Sequence, residues 1–341
     1  MRQVELSVIV PMRNEARNLG PLLDRLRPVL DRLDLPAEVI CVDDGSTDGT
    51  ADMLKMAHAV DPRVKAISLS RNFGKEMALA AGLHEARGRA AVLMDADLQH
   101  PPELIERFVA LWREGWEVVY GQRRDRQADG PLRRWLSTAF YRLFALVGQT
   151  ELPPGAGDFR LLDRKVIDAL NAIEERTRFT KGLYSWVGFR QVGVPYDVPM
   201  RSGGSSRFSL LALWRHAVDG ITAFSTIPLR VWSYLGLLVS AVALGYGLFI
   251  VVRTLLYGTD LPGYPSLMVA IMLLSGVQLI GLGVMGEYVG RIFAEVKRRP
   301  LYLVRETVGF GEPAGSRPAG GELRLAAVGG SRVDGPGLRE E

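Results

Sequence analysis

Residues 91–102 read Ala91-Val92-Leu93-Met94-Asp95-Ala96-Asp97-Leu98-Gln99-His100-Pro101-Pro102. An apolar run of strand character ends in two carboxylates separated by one small residue, followed by an amide, an imidazole and a proline pair that suits the start of a helix. In an open α/β sheet, ligands bind beyond the carboxyl ends of the strands, so Asp95 and Asp97 are expected where a substrate sits. Carboxylate oxygens suit Mg2+ or Mn2+, which keep few protein ligands and complete their shell from water and phosphate oxygens. The same pattern also arises from turn chemistry alone, because short acidic side chains bond to nearby backbone amides. A second acidic strand tip earlier in the chain and apolar segments later in it favour the ligand reading.

Working outward toward the N-terminus, Val4 to Val10 reads as a strand, Pro11-Met12-Arg13-Asn14-Glu15 as a turn, and Ala16 to Leu33 as a helix with leucines at helical spacing. Ala37 to Val42 is the next strand and ends in Asp43-Asp44-Gly45-Ser46-Thr47-Asp48-Gly49-Thr50. Its glycines permit a tight loop, and Ser46, Thr47 or Asp48 is placed to cap a helix over Ala51 to Ala59. A third strand, Val64 to Leu69, leads through Ser70-Arg71-Asn72-Phe73-Gly74-Lys75 into a helix reaching Ala86. The strand ending at Asp95 comes next, then a helix from Pro102 to Trp112 and a strand from Val118 to Gly121. Strands alternating with helices predict an α/β fold with a mostly parallel sheet and right-handed crossovers. A dinucleotide-binding domain is disfavoured, because the first loop lacks the glycines that let a backbone approach a pyrophosphate.

The 341 residues hold one large or two ordinary domains, and the formal charge is only +4. That charge is uneven: arginines cluster between Arg123 and Arg142 and again from Arg291 to Arg299, which points to anionic partners at particular places. The lone cysteine, Cys41, falls in a predicted buried strand, so no disulfide framework exists and a reducing compartment is expected. The N-terminus runs straight into a strand without the apolar core of a signal peptide. Val231 to Val252 and Leu261 to Gly286 contain no charged residue, and each exceeds the ~20 apolar residues that a hydrocarbon layer requires. Two transmembrane helices are therefore expected, at 230–253 and 261–286. Basic residues flank the pair on both outer sides, so the positive-inside rule places the N-terminal domain and both flanks in the cytoplasm, at the cytoplasmic membrane.

Residues 131–147 and 208–229 read as amphipathic helices suited to a membrane interface, the second directly before the first span. For the first of them, an ordinary surface helix packed on the sheet fits the pattern equally. Gly155-Ala156-Gly157-Asp158-Phe159-Arg160 reads as a glycine-rich turn carrying one acid into an apolar segment, and Arg201 to Arg207 as a basic loop containing glycine and serine. The division that follows is a catalytic domain over 1–207, the juxtamembrane helix, the two spans, a basic segment over 287–310 and a disordered tail over 311–341.

The chain resembles the membrane-anchored family 2 glycosyltransferases of GT-A fold that act on polyprenyl phosphates. The resemblance rests on Val8 to Glu15, Val42 to Thr50, Ser70 to Lys75, Met94 to Gln99, Gly157 to Leu161, Lys181 to Phe189 and Gly286 to Arg291. It implies inverting transfer of one sugar from a nucleotide sugar, by the family pattern a UDP-sugar such as UDP-glucose, to undecaprenyl or another polyprenyl phosphate. By position, Pro11, Asn14 and Glu15 would line the nucleoside pocket, Asp43 would contact the base or ribose, and Asp95 would lie near ribose and diphosphate. Asp97 and Gln99, with Asp95, would hold Mg2+ or Mn2+. Arg123, Arg133, Ser137 and Arg201 would bind the acceptor phosphate, Arg207 would reach the donor diphosphate, and Asp158 would act as base or electrostatic stabiliser. Partners implied are the nucleotide sugar, the lipid and the membrane, with room for a homo-oligomer and no nucleic acid.

Two positions depart from the family pattern. Arg207 stands where lysine is usual, and its planar fork binds phosphate differently. Gly155 replaces a common acid. A processive polysaccharide synthase is a rival, but no Gln-x-x-Arg-Trp motif occurs and two spans are too few for a channel. A non-catalytic nucleotide-sugar sensor or flippase partner would be expected to lack the acidic tips, which are all present.

Overall fold

A computed structural model describes residues 3–123, 156–173, 175, 180–197, 227–257 and 263–310. In chain order its elements are β1 (Leu6–Met12), α1 (Ala16–Leu33), β2 (Ala37–Asp43), α2 (Thr50–Val60), β3 (Val64–Leu69), α3 (Lys75–Glu85), β4 (Ala90–Leu93), α4 (Leu104–Arg113) and β5 (Val118–Arg123). They continue with β6 (Ala156–Asp163), α5 (Arg164–Asn171), α6 (Thr180–Trp186), β7 (Gln191–Tyr196), α7 (Ile227–Tyr257), α8 (Tyr264–Val296) and β8 (Val304–Val308). The described residues divide into two compact units, one holding the strands with α1–α6, the other the helices α7 and α8.

The strands form one sheet in the order β7-β5-β6-β4-β1-β2-β3-β8. β4, β1, β2 and β3 run parallel, as their near-continuous apolar sequences require when both faces are covered. Leu6, Val8, Ile9, Val10, Ile40, Cys41 and Val42 are accordingly inaccessible to solvent. Burial drives the Cys41 thiol up to about 12, so it is an inert core group. Helix α1 buries Leu19, Leu22, Leu23, Leu26, Val29 and Leu30, the stripe that its leucine spacing implies. Helix α3 lies closer still, against β1 and β2. A side chain at Gly82 would collide with Ile9 and meet Val42, so glycine there permits the approach.

Four local readings change. β1 extends through Met12 and takes in Pro11, which pairs in register with Val42. β4 stops at Leu93, so Asp95 stands off the strand in the following loop. Residues 156–160, read as a glycine-rich turn, open β6, which runs antiparallel to both β4 and β5. Residues 304–308, read within a basic segment, form β8, antiparallel to β3 at the sheet edge. Both antiparallel additions come from pairing between segments remote in sequence, which local periodicity does not report. The segments 131–147 and 208–226, Arg133, Ser137, Arg201, Arg207 and the tail lie outside the described residues.

In the second unit α7 and α8 are antiparallel, with Trp232 near the start of α7 against Gly281 far along α8. The stretch Leu273–Val296 is long and apolar enough to cross a membrane. Among the described residues, every large exposed apolar side chain except Met56, Val60 and Trp186 belongs to this helix pair, including Leu237, Leu238, Phe249, Leu273 and Leu282. Apolar surface of that extent, facing solvent along both helices, marks a membrane-facing or partner-facing surface.

At the corner between α2 and β3, Asp61 accepts hydrogen bonds from the Arg63 amide and guanidinium and from Arg27 Nε on α1. Burial opposes its ionisation, but these donors outweigh burial and hold its carboxyl below the ordinary value. A depressed pKa stabilises the fold above the unfolded value and is lost as pH falls through the folded one. Asp61→Asn should therefore destabilise the fold at pH 7 by about 1 kcal/mol after solvent screening and so lower the thermal midpoint, with the deficit closing below about pH 4. A deficit unchanged at pH 2 in thermal scans of the detergent-solubilised protein would contradict this origin.

Candidate active site

The loops leaving β1, β2, β3 and β4 gather at one edge of the sheet and are tied to one another before any ligand is considered. Asn14 has φ 57, a left-handed conformation that asparagine tolerates. In this turn its amide donates to Ser46 Oγ at 2.9 Å, and its side-chain oxygen accepts from Thr47 N at 2.8 Å. The Glu15 amide donates to Thr50 Oγ1 at 3.1 Å. Asp48 accepts from Ala16 N and from the Thr50 hydroxyl, and the Thr50 contact holds its carboxyl below the usual range. The expected capping of α2 is thus shared: Gly49 stands at the N-cap in a left-handed conformation, while Asp48 bonds the first-turn amide of Thr50.

The two buried acids after β2 do different things. Asp43 accepts from Ser46 N at 3.0 Å and closes its own turn. Asp44 accepts from Phe73 N at 2.6 Å and Gly74 N at 2.9 Å, so it clamps the loop that leads into α3. Gly45 lies so near that loop that a Cβ would approach Arg71 C to 2.6 Å, and its φ is +67. Residues 71–74 are therefore held from below by a carboxylate and from the side by a residue without a side chain. Their product is the position of Lys75, the first residue of α3.

Lys75 Nζ lies 2.6 Å from Asp95 Oδ1 and 2.7 Å from Asp158 Oδ2. Leu93 pairs with Arg160 across the antiparallel β4–β6 ladder, so continuing the register by two residues sets Asp95 opposite Asp158. Burial works against the ammonium, but Asp158 and Asp95 outweigh it and raise the Lys75 pKa above its ordinary value. Arg160, on the same face of β6 as Asp158, is 3% exposed. Its guanidinium stacks 3.7 Å from the Tyr184 ring centroid, and Nη2 donates to Gly157 O at 2.6 Å. Burial lowers its pKa, with Tyr184 and Asp158 acting in the opposite direction.

Asp97 Oδ1 accepts from Gln99 N at 3.1 Å, and Leu98 between them has φ 60. This sharp turn wraps the loop around buried His100, whose Nδ1 accepts from Asp95 N at 3.0 Å. The imidazole stacks on Phe159 with centroids 4.9 Å apart and planes at 10°, on the sheet face opposite Asp158. His100 therefore fixes the backbone of Asp95 from behind. Burial first, then the charges of Asp97, Asp48 and Asp95, push the Glu15 carboxyl up despite a hydrogen bond from Asn18. Negative charge is thus concentrated between the first and fourth loops.

Of the sequence-expected residues, Asn14, Glu15, Asp43, Asp95, Asp97, Gln99 and Asp158 stand at this edge, with Pro11 just inside β1. Arg123 closes β5 at the same end of the sheet, paired with Tyr196 of β7. Lys75, Asp44, His100 and Arg160 carry much of the geometry and had no role in the sequence reading. A lysine directly after glycine at a helix start beyond a strand was the available signal for Lys75. Among the described residues, no group of three His, Cys, Asp or Glu side chains converges with metal-site geometry.

Residues 7–170 match the family model "Glycosyl transferase family 2", and residues 227–292 match "GtrB C-terminal hairpin". The chain is 48% identical over 307 residues to an uncharacterized glycosyltransferase of Synechocystis sp., covering 90% of this chain and 96% of that one. It is 40% identical over 304 residues to the SfII prophage-derived bactoprenol glucosyl transferase of Shigella flexneri, covering 89% of this chain and 98% of that one. Among solved structures, mannosyl-3-phosphoglycerate synthase from Rubrobacter xylanophilus superposes with a TM-score of 0.46 at 20% identity, over 64% of this chain and 72% of that one. Identity of 40% and 48% along nearly the whole length of two glycosyltransferases assigns the family: the chain belongs to the family 2 glycosyltransferases, as an α/β enzyme related to the bactoprenol glucosyl transferases.

Proposed function

We propose that the protein transfers one sugar, with inversion, from a UDP-sugar such as UDP-glucose to undecaprenyl or another polyprenyl phosphate at the cytoplasmic face of the membrane. The observation that carries this reading is the meeting of Asp95 and Asp158 through Lys75 at the carboxyl edge of the sheet. An acidic, loop-lined sheet edge beside a second carboxylate supports a donor end there, because a charged leaving group must part from a sugar next to it. The kinship to a bactoprenol glucosyl transferase over 98% of that protein supports a lipid phosphate as acceptor.

In this reading Pro11, Asn14, Glu15 and Asp43 form the nucleoside end, and Asp95 faces ribose and diphosphate. Asp97, with Asp95 and Gln99, would hold Mg2+ or Mn2+. The donor chemistry fits: hard oxygens are concentrated here, burial and then the neighbouring carboxylates raise the Glu15 pKa, and a divalent ion of this kind takes most of its shell from phosphate and water. When bound, the ion would neutralise charge on the leaving diphosphate. Arg123, Arg133, Ser137 and Arg201 position the acceptor phosphate, and Arg207 reaches the donor diphosphate. An acceptor phosphate oxygen attacks the anomeric carbon as the bond to the nucleoside diphosphate breaks. The phosphate is already anionic, so orientation matters more than deprotonation. Asp158, holding an ammonium at 2.7 Å, suits an electrostatic role better than that of a base.

The helix pair serves as a two-span anchor in this reading. The residues that follow α8 return to the sheet as β8, so both ends of the pair join the same catalytic unit, which suits an even number of crossings with both flanks in the cytoplasm. Small residues along both helices leave room for a homo-oligomer.

The founding experiment is transfer from a panel of UDP- and GDP-sugars to undecaprenyl phosphate in detergent, with and without EDTA. One donor should give a lipid-linked product that is lost with EDTA and restored by Mg2+ or Mn2+; binding of a nucleotide sugar without any product would favour the sensor reading. Asp97→Ala should lower kcat by at least ~1,000-fold, the scale of losing charge stabilisation of a leaving group. Wild-type turnover in that variant at saturating Mg2+ would remove Asp97 from the site. Arg133→Ala should raise the acceptor KM about tenfold while the donor KM stays within about twofold. Equal changes for both substrates would reject its acceptor assignment.

A further inference from the structure

We propose that Lys75 is a positioning residue for the transfer: its ammonium sets the spacing between the donor-side carboxylate Asp95 and the acceptor-side carboxylate Asp158. The inference rests on the reading of the site given above.

Three observations carry it. First, one nitrogen lies within hydrogen-bond distance of both carboxylates, 2.6 Å from Asp95 and 2.7 Å from Asp158, so the two oxygens stand within two hydrogen-bond lengths of each other. Two carboxylates at that separation repel, and the shared ammonium offsets that repulsion. Second, the side chains arrive from three separate places: a helix start, a loop after a parallel strand and the beginning of an antiparallel strand. An ordinary surface ion pair is formed by flexible side chains and contributes little. Here each end is fixed by its own backbone contacts: Asp44 holds the amides of Phe73 and Gly74, His100 holds the amide of Asp95, and Arg160 holds the carbonyl of Gly157. Third, the packing of α3 on β1 and β2, which Gly82 allows, fixes how far Lys75 reaches. Lys75 thus touches both carboxylates from a fixed position. Displacing either by about 1 Å is on the scale that costs ~100-fold in rate.

The test compares wild type with Lys75→Met, Lys75→Arg, Asp158→Asn and the double variant Lys75→Met/Asp158→Asn, all as full-length protein in detergent. Lys75→Met should lower kcat about 100-fold while donor and acceptor KM move less than about threefold, and the double variant should be no slower than the slower single variant by more than about threefold. Binding of UDP with Mn2+, read by calorimetry, should change less than about threefold in Lys75→Met. Lys75→Arg should remain at least ~10-fold impaired, because a planar fork cannot set one nitrogen between two oxygens.

A rescue separates position from folding. Cys41 is fully buried, so Lys75→Cys presents the accessible thiol, and aminoethylation restores an ammonium at nearly lysine length. Activity should then recover at least about tenfold, whereas treated wild type is unchanged. Multiplicative losses in the double variant, a loss of UDP binding that matches the loss of rate, or failure of the aminoethylated protein to recover would each overturn the role of Lys75. Lys55→Met, which removes a surface pair with Glu306, should match wild type and serves as the control for loss of an ion pair. Absence of transfer in wild type with every donor overturns the proposed function itself and this role with it, whereas an active wild type with normal Lys75 variants overturns only the latter.

Discussion

One ammonium shared by two carboxylates is the point on which the geometry of the site depends. Asp95 stands in the loop after β4 and Asp158 in the antiparallel strand β6, and their approach follows from the register of β4 against β6. Like charges do not remain so close in a half-exposed cleft without a cation between them. Lys75 supplies it, and its own position is determined by contacts that have no chemistry of their own. Asp44 uses both oxygens on backbone amides of the preceding loop, Gly45 leaves that loop room, and Gly82 lets α3 settle on the sheet.

Charge around this point is unevenly compensated. On the β6 side Asp158 has Lys75 in contact and Arg160 nearby, a guanidinium that burial destabilises and the Tyr184 ring partly supports. On the other side burial, and then the charges of Asp97, Asp48 and Asp95, raise the Glu15 pKa. In the proposed reading, this excess of hard anionic oxygen beside a carboxylate paired with Lys75 would divide a cation-assisted leaving group from the reacting carbon. The backbone of the acidic side is stiffened from the opposite face of the sheet, where His100 and Phe159 stack beneath the loop. Preorganisation of this kind keeps the charged groups from reorganising when substrate arrives.

The helix pair adds a different constraint. Its outward surface is apolar along both helices, which water does not favour and a hydrocarbon layer does. The chain then returns to the catalytic unit as β8, and Ser70 N donates to Leu303 O at 2.8 Å just where the loop toward Lys75 begins. The covalent path out of the helices thus ends beside the segment that delivers the bridging ammonium.

Much of this was legible in the order of residues. The apolar runs of β1 to β4, the leucine spacing of α1, the acidic tips at Asp43 and at Asp95 with Asp97, and the long uncharged segments are local signals, carried by periodicity, burial and turn chemistry within a few residues. What the order of residues could not state was which segments pair. The acid at 158 looked like part of a turn because its strand gains its identity only from hydrogen bonds to β4 and β5, and β8 looked like basic surface because its partner is β3. Lys75 and Asp44 stayed silent for the same reason, since each acts on a backbone or carboxylate far away in sequence, and His100 is held in place by stacking on the remote Phe159. Local chemistry determined the presence of the acids and the parallel core; only the tertiary pairing, which is non-local by nature, decided that two of those acids meet across a single lysine.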